Sequence, residues 1–239
     1  MKNNLYIKKS FRRKKKKNFV KNATDFSPPV PTPYHYIVVT DQTELEYHCQ
    51  KIRSEIKNHQ FNYIALDGEF YGYGASYPKL SLLQIAYCDI VIILDMMLDL
   101  DWSPLIEILE SDNILKVLHS CKHDIIALYN HMKCKLLNIF DIQIAMLFLG
   151  YPKLVSYRYI VQKYCGVEID KQYQNSNWKK RPLSEGQLTY AANDVYYLLR
   201  AYGMIENELG QSRHVIVLEE SDSMALSCIK SYKKCRKIY

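Results

Sequence analysis

No stretch of about 18 apolar residues occurs in the chain, and the most apolar segment, Ile90 to Leu98, is interrupted by Asp95. A membrane-spanning helix needs about 20 such residues in a row, so the sequence reads as a soluble protein without a membrane role. The seven cysteines (Cys49, Cys88, Cys121, Cys134, Cys165, Cys228, Cys235) form no CxxC pair, are odd in number, and follow no apolar signal segment. A disulfide scaffold is thereby excluded, and reduced thiols in an intracellular compartment are expected. The run His119-Ser120-Cys121-Lys122-His123 lacks a second cluster at ligand spacing and does not make a structural zinc site. No internal repeat is found, which excludes a solenoid.

Acids are missing from both ends. Met1 to Thr24 holds ten Lys or Arg and Lys230 to Tyr239 holds five, with no Asp or Glu in either. Of the 32 bases, seventeen therefore remain in Asp25 to Ile229 against all 25 acids, a formal charge of −8 beneath the overall +7. An acidic body suits a divalent-cation site, although charged residues on a body also serve simply as a solvated face. Lysine-rich ends suit a polyanion such as nucleic acid, because each neutralised phosphate releases a counterion.

Residues 1–33 are expected to be a disordered basic tail followed by a linker. The block Lys8 to Lys17 repels itself, and Pro28, Pro29, Pro31 and Pro33 force extended backbone. Residues 34–210 then read as a single α/β domain, about the size one hydrophobic core supports. A strand is predicted at Tyr36 to Thr40, and Asp41 with Glu44 opens a helix reaching about Asn58. Three apolar strands follow at Tyr63 to Phe70, Leu80 to Tyr87 and Ile90 to Leu94, separated by Gly72, Gly74, Pro78 and the Cys88-Asp89 turn, as in a meander. Helical spacing appears at Ser103 to Glu110, His123 to His131, Asp141 to Leu149, Ser156 to Tyr164 and Ser184 to Leu209, with a short strand at Leu115 to Leu118. That alternation predicts a mixed sheet flanked by helices. Residues 211–239 read as a helical extension with a basic end.

Asp67 and Glu69 stand two apart at the end of an apolar strand, which puts both carboxylates on one face. Burying two like charges costs several kcal/mol per ion unless a cation compensates. Tyr190 and Asp194 are four apart in a helical stretch and share a face one turn apart, while Asp124 opens an apolar helix. Each of these has a plain structural reading as well: a chance acid pair, a core tyrosine beside a solvated aspartate, and a carboxylate favoured by a helix dipole.

Together, and in this order, the motifs resemble the ribonuclease D-like, tyrosine-bearing branch of the DEDD exonuclease superfamily from about Tyr36 to Leu209. They are Leu66-Asp67-Gly68-Glu69-Phe70, Leu80 to Ala86, Lys116-Val117-Leu118-His119 with Asp124-Ile125, Ile139 to Ala145, and Asp170-Lys171. Ser176-Asn177-Trp178, Arg181-Pro182-Leu183-Ser184, Gln187-Leu188 and Tyr190-Ala191-Ala192-Asn193-Asp194-Val195 complete the set and are its most specific part. The resemblance implies a ribonuclease H-like fold and hydrolysis of nucleotides from the 3' end of a single strand, RNA favoured over DNA. It further implies two divalent cations, Mg2+ or Mn2+, held by Asp67, Glu69, Asp124 and Asp194, with Tyr190 orienting the attacking water. Gln84, His119, Lys171 and Trp178 would support the site or the substrate groove, though packing alone would also explain them.

Gly68 departs from the family, which commonly carries a β-carbon there; the glycine would either open room for a terminal nucleotide or cost stability. Ribonuclease D also has helical substrate-binding domains downstream, whereas about thirty residues follow Leu209 here. The basic ends are candidates for that grip, and Arg12 to Lys17 also resembles a nuclear localisation signal, so a nuclear location is expected. An organelle presequence fits less well, because serine is scarce and lysines outnumber arginines. Two rivals remain open: a non-catalytic RNA-binding module of the same fold, and a DNA exonuclease of the Werner-helicase-like branch.

Overall fold

The computed structural model describes residues 35–58, 62–72, 79–151 and 154–236. The expected basic tail and linker, and the turn at Gly74 and Pro78, lie outside them. Six strands form one mixed sheet: β1 (His35–Val39), β2 (Tyr63–Tyr71), β3 (Lys79–Tyr87), β4 (Ile90–Asp95), β5 (Leu115–Leu118) and β6 (Ile139–Asp141), in the order β1-β4-β3-β2-β5-β6. The central strands β2, β3 and β4 are an antiparallel meander, while β1, β5 and β6 join in parallel. Apolar residues fill both faces of these strands, so helices must cover both.

One face is covered by α1 (Gln42–Asn58), α2 (Ser103–Leu109) and α3 (Lys122–Met132), which pack on Ile64, Leu66, Leu83 and Ile85. The other carries α4 (Ile142–Phe148), α5 (Tyr157–Cys165) and the long α6 (Glu185–Leu209) against Ala65, Leu82 and Ala86. The start of α6 is fixed by a capping box in which Ser184 and Gln187 satisfy one another's backbone N–H. This sets the phase of the helix, and with it the direction in which Tyr190 and Asp194 project.

Two features differ from the sequence reading. The three-residue β6 was absent from it, because the segment is too short to show a period and runs directly into the helix that Asp141 caps. The role of the last helix, α7 (Gln211–Arg236), is now visible. It lies along the outer edge of β6, where Ile139 N–H donates to Asp222 Oδ1 at 3.0 Å and Asp141 N–H donates to Ser221 Oγ at 3.1 Å. An edge strand needs partners for its outward amides, and this helix supplies them from side chains. Its Val217 enters the core on the α6 side, and Ala225 and Ile229 enter the core on the α3 side.

Candidate active site

The site lies at the C-terminal end of β2. Pleating turns Asp67 and Glu69 to the face of the sheet that α6 covers, and the phase of α6 brings Asp194 close to both. One oxygen from each of Asp67, Glu69 and Asp194 can be chosen so that all lie within 4.8 Å of one another. Glu69 and Asp194 are each 8 % exposed, so water screens their mutual repulsion poorly. Tyr190, one turn before Asp194 on the same helix, hydrogen-bonds the Asp194 carboxylate through its hydroxyl.

Asp124 does not join that group of three. It enters from α3 on the opposite side of β2, beside Gly68, and its Oδ1 is buried without a hydrogen-bond partner. A β-carbon on residue 68 would lie 2.9 Å from that oxygen and 3.0 Å from both Leu80 Cδ1 and Phe70 Cζ. The space that glycine leaves is therefore occupied by the Asp124 carboxylate, and it does not open room for a nucleotide.

Burial, followed by the charges of Asp67, Asp194 and Asp124, pushes the Glu69 carboxyl up to about 10. Burial also raises Asp67, with some relief from the Gly68 N–H, and it raises Asp124 and Asp194 well above the carboxylate range, with the Asp67 charge as the next cause for both. Four acids so placed favour protons or a cation. Their donors are all hard carboxylate oxygens, and Asp124 Oδ1 has nothing else to bind, so the set fits divalent ions of the magnesium class better than zinc.

The expected supporting residues divide. Gln84 is paired with Asp67 across β2 and β3, is fully buried, and both its amide atoms lack partners. The Trp178 ring packs 6.1 Å from that of Tyr190, with its Nε1 also unpartnered. His119 follows β5 and bonds the Val155 carbonyl through Nε2 at 2.9 Å. Lys171 lies on an exposed turn, where its carbonyl accepts from Gln174 N–H, and it does not reach the acids' cluster.

Four residues that carry the site's framework were assigned no role from the sequence. Asp141 accepts from the amides of Ser120 (2.8 Å), Cys121 (3.1 Å) and Gln143 (2.8 Å), which fixes the turn leading into α3 and hence Asp124. Arg181 forks onto Asp95 at 2.5 and 2.7 Å and donates to the Trp178 carbonyl at 2.8 Å, so the loop carrying Trp178 is latched to β4. The register of β2 and β3 slips just past Glu69, where Ser81 is the additional residue on β3 and its Oγ donates to the same Trp178 carbonyl at 2.5 Å. Asp141, Arg181 and Ser81 stood within the motifs without a role of their own, and the fourth, Tyr157 at the start of α5, stood outside them.

Comparison with known proteins identifies the domain. A family model described as 3'-5' exonuclease matches residues 36–210. Ribonuclease D of Haemophilus influenzae is 37% identical over 180 residues, covering 75% of this chain and 44% of that protein. The crystal structure of Escherichia coli RNase D, described as an exoribonuclease involved in structured RNA processing, superposes with a TM-score of 0.74 at 32% identity over 81% of this chain and 50% of that one. The Trypanosoma brucei RNase D complex with RNA U12 shares the fold, with a TM-score of 0.68 at 21% identity, over 80% of this chain and 70% of that one. The chain spans about half the length of the curated relatives it matches.

The comparisons overturn the expected nuclear location. The ribonuclease D relatives belong to Haemophilus, Escherichia and Pseudomonas, bacteria that have no nucleus, so a basic run such as Arg12 to Lys17 cannot be taken as a nuclear address. Among the described residues no helix is long and apolar enough to cross a membrane. With its ribonuclease H-like mixed sheet, its clustered carboxylates and a match over residues 36–210, the chain belongs to the 3'-5' exonuclease family of the ribonuclease D type, whose members depend on divalent metal.

Proposed function

We propose that this chain is a 3'-5' exoribonuclease that removes nucleotides from the 3' end of single-stranded RNA with the aid of two divalent cations, Mg2+ or Mn2+. The observation that carries the reading is the convergence of Asp67, Glu69 and Asp194 within 4.8 Å, with Tyr190 on the adjoining turn. Asp67, Glu69, Asp124 and Asp194 would hold the ions. When bound, the ions supply charge for the developing phosphorane and a hydroxide at neutral pH.

The residues of the chain account for the rest. Burial and the neighbouring carboxylates push the Tyr190 phenol up, so it keeps its proton and acts by orienting the attacking water rather than as a general base. Gln84 and Trp178 carry unpartnered donors on the same side of the sheet and support the reacting end of the strand, as does His119 through its hold on Val155. Lys171, on its exposed turn, would meet the substrate backbone further out. The domain division that goes with this reading is 34–210 for the exonuclease domain, 1–33 for a basic arm and 211–239 for a helical extension. The lysines at both ends hold phosphates without reading bases. RNA is favoured by the bacterial relatives, which are named for ribonuclease activity.

The test is degradation of 3'-labelled and 5'-labelled single strands, RNA and DNA in parallel, with Mg2+, Mn2+ or EDTA, comparing the wild type with Asp67→Ala. Metal-dependent release of mononucleotides from the RNA 3' end, lost in the variant, is the expected result. Preferential release from DNA would move the protein to the DNA-exonuclease branch. A folded, metal-loaded protein that binds RNA and cleaves nothing would be a binding module.

A further inference from the structure

Tyr157 lies at the start of α5, 37 positions before Asp194 in the sequence, yet it adjoins the acids in space. The chain just ahead of it is held from two directions. The Val155 carbonyl accepts from His119 Nε2 at 2.9 Å, and the Val155 N–H donates to Gln143 Oε1 at 3.1 Å. His119 directly follows β5 and Gln143 is in the first turn of α4, so the entry to α5 is fastened to the sheet rather than free to drift. Ser156 then caps the helix by accepting from Tyr159 N–H.

From this anchored base the Tyr157 ring lies 6.0 Å from that of His119, and its hydroxyl donates to the Asn193 carbonyl at 2.9 Å. Asn193 immediately precedes Asp194 and is three residues after Tyr190. The bond thus falls on the one turn of α6 that presents both functional side chains. Burial first, and then the charges of Asp194 and Asp67 among its neighbours, push the phenol well above its ordinary range, which keeps its proton available for donation. Apolar contacts are non-directional and by themselves set the orientation of a helical turn less sharply than a directed hydrogen bond does. A directed hydrogen bond from a fixed ring sets that orientation at the point where it matters.

We propose that Tyr157 is a positioning residue of the site, its hydroxyl holding the Asn193 carbonyl and so fixing the α6 turn that aims Asp194 at Asp67 and Glu69. The site then has two tyrosines with different duties. Tyr190 touches the Asp194 carboxylate itself, and Tyr157 holds the backbone behind it. The inference rests on the reading of these acids as a metal site. It adds a residue outside the acidic motifs, contributed by a helix that carries none of the acids.

The test is direct titration of Mn2+ by electron paramagnetic resonance, without substrate, on the wild type and on Tyr157→Phe, which loses one oxygen and keeps the ring. Partners behind the ligands of a metal commonly contribute ten- to a hundredfold in affinity, and a backbone tether should lie near the low end, so Mn2+ binding is expected to weaken about tenfold. At saturating Mn2+ the variant should recover most of its turnover, with KM for RNA unchanged and near-ultraviolet circular dichroism like that of the wild type. Equal Mn2+ affinity in the two proteins overturns the inference, and so does a lowered Tm with affinity unchanged, which would make the hydroxyl a packing element only. A wild type that binds no Mn2+ would instead remove the metal-site reading itself.

Discussion

The Asp124 carboxylate lies where a side chain on residue 68 would begin, 2.9 Å from the position of its β-carbon. The glycine between the two strand acids is thus a packing requirement of the third acid. Gly68→Ala must displace Asp124, Leu80 or Phe70, and overpacking of this kind costs about 1–3 kcal/mol. Thermal melts should show that loss, and exonuclease assays should show turnover reduced about tenfold or more at limiting metal. Wild-type activity in Gly68→Ala would show that Asp124 moves aside without consequence.

Replacing Asp67 by Asn separates stability from function. The substitution removes one charge from a cluster whose members raise one another's pKa, so the metal-free protein should melt at a higher temperature than the wild type at pH 8. Activity should fall about a hundredfold or more, since metal-assisted charge relief supplies several kcal/mol. A variant that melts lower in EDTA would mean that Asp67 contributes favourable contacts outweighing the repulsion.

The pH dependence follows from the same groups. The Glu69 carboxyl rises from its ordinary 4.5 to about 10 in the folded, metal-free protein, so the folded state holds a proton that the unfolded chain has released. Stability from this source is complete below the unfolded value and is lost as pH rises through the folded one, by up to about 1.4 kcal/mol per pH unit for each such proton. Denaturant titrations in EDTA should therefore show declining stability from pH 5 to pH 9, more steeply than in Glu69→Gln. Mg2+ competes with those protons, so its stabilising effect should grow over the same range, and a flat profile would contradict the shift.

Tyr190→Phe should act on rate rather than on binding. Loss of a group that places the attacking water costs about a hundredfold in kcat. Mn2+ affinity should fall far less than kcat, because all four carboxylates are kept even though Asp194 loses the Tyr190 hydroxyl. Steady-state kinetics beside a metal titration distinguish this from a structural effect, which would move both.

Arg181→Lys tests the latch on the Trp178 loop. Lysine cannot fork onto Asp95 as arginine does, so about 2 kcal/mol of charge-assisted hydrogen bonding is expected to be lost. Limited trypsin digestion should then cut faster at Lys171, Lys179 or Lys180, while digestion at wild-type rates would show that the loop is held by Trp178 packing alone.

Much of the fold could be read from local pattern. The apolar strands Tyr63 to Phe70 and Leu80 to Tyr87 and the Ser184 cap of α6 show within their own segments what they become, because period and capping are local properties. The pairing of Asp67 with Glu69, and of Tyr190 with Asp194, was visible for the same reason. What stayed hidden depends on partners distant in the chain. Arg181 finds Asp95 across 86 positions, Tyr157 finds Asn193 across 36, and the β6 amides find Ser221 and Asp222 more than 79 positions away. The role of Gly68 stayed open in the sequence because what decides it, a carboxylate arriving from α3, is not local.

The placement of α7 along β6 leaves the sheet asymmetric at its margins. Among the described residues β1 pairs only with β4 and keeps an open side, whereas the far margin is sealed by a helix. Endless strand-by-strand stacking needs two open margins on every copy. Two molecules meeting through β1 would each turn the α7-covered margin outward, so among the described residues pairing through that strand ends at a dimer.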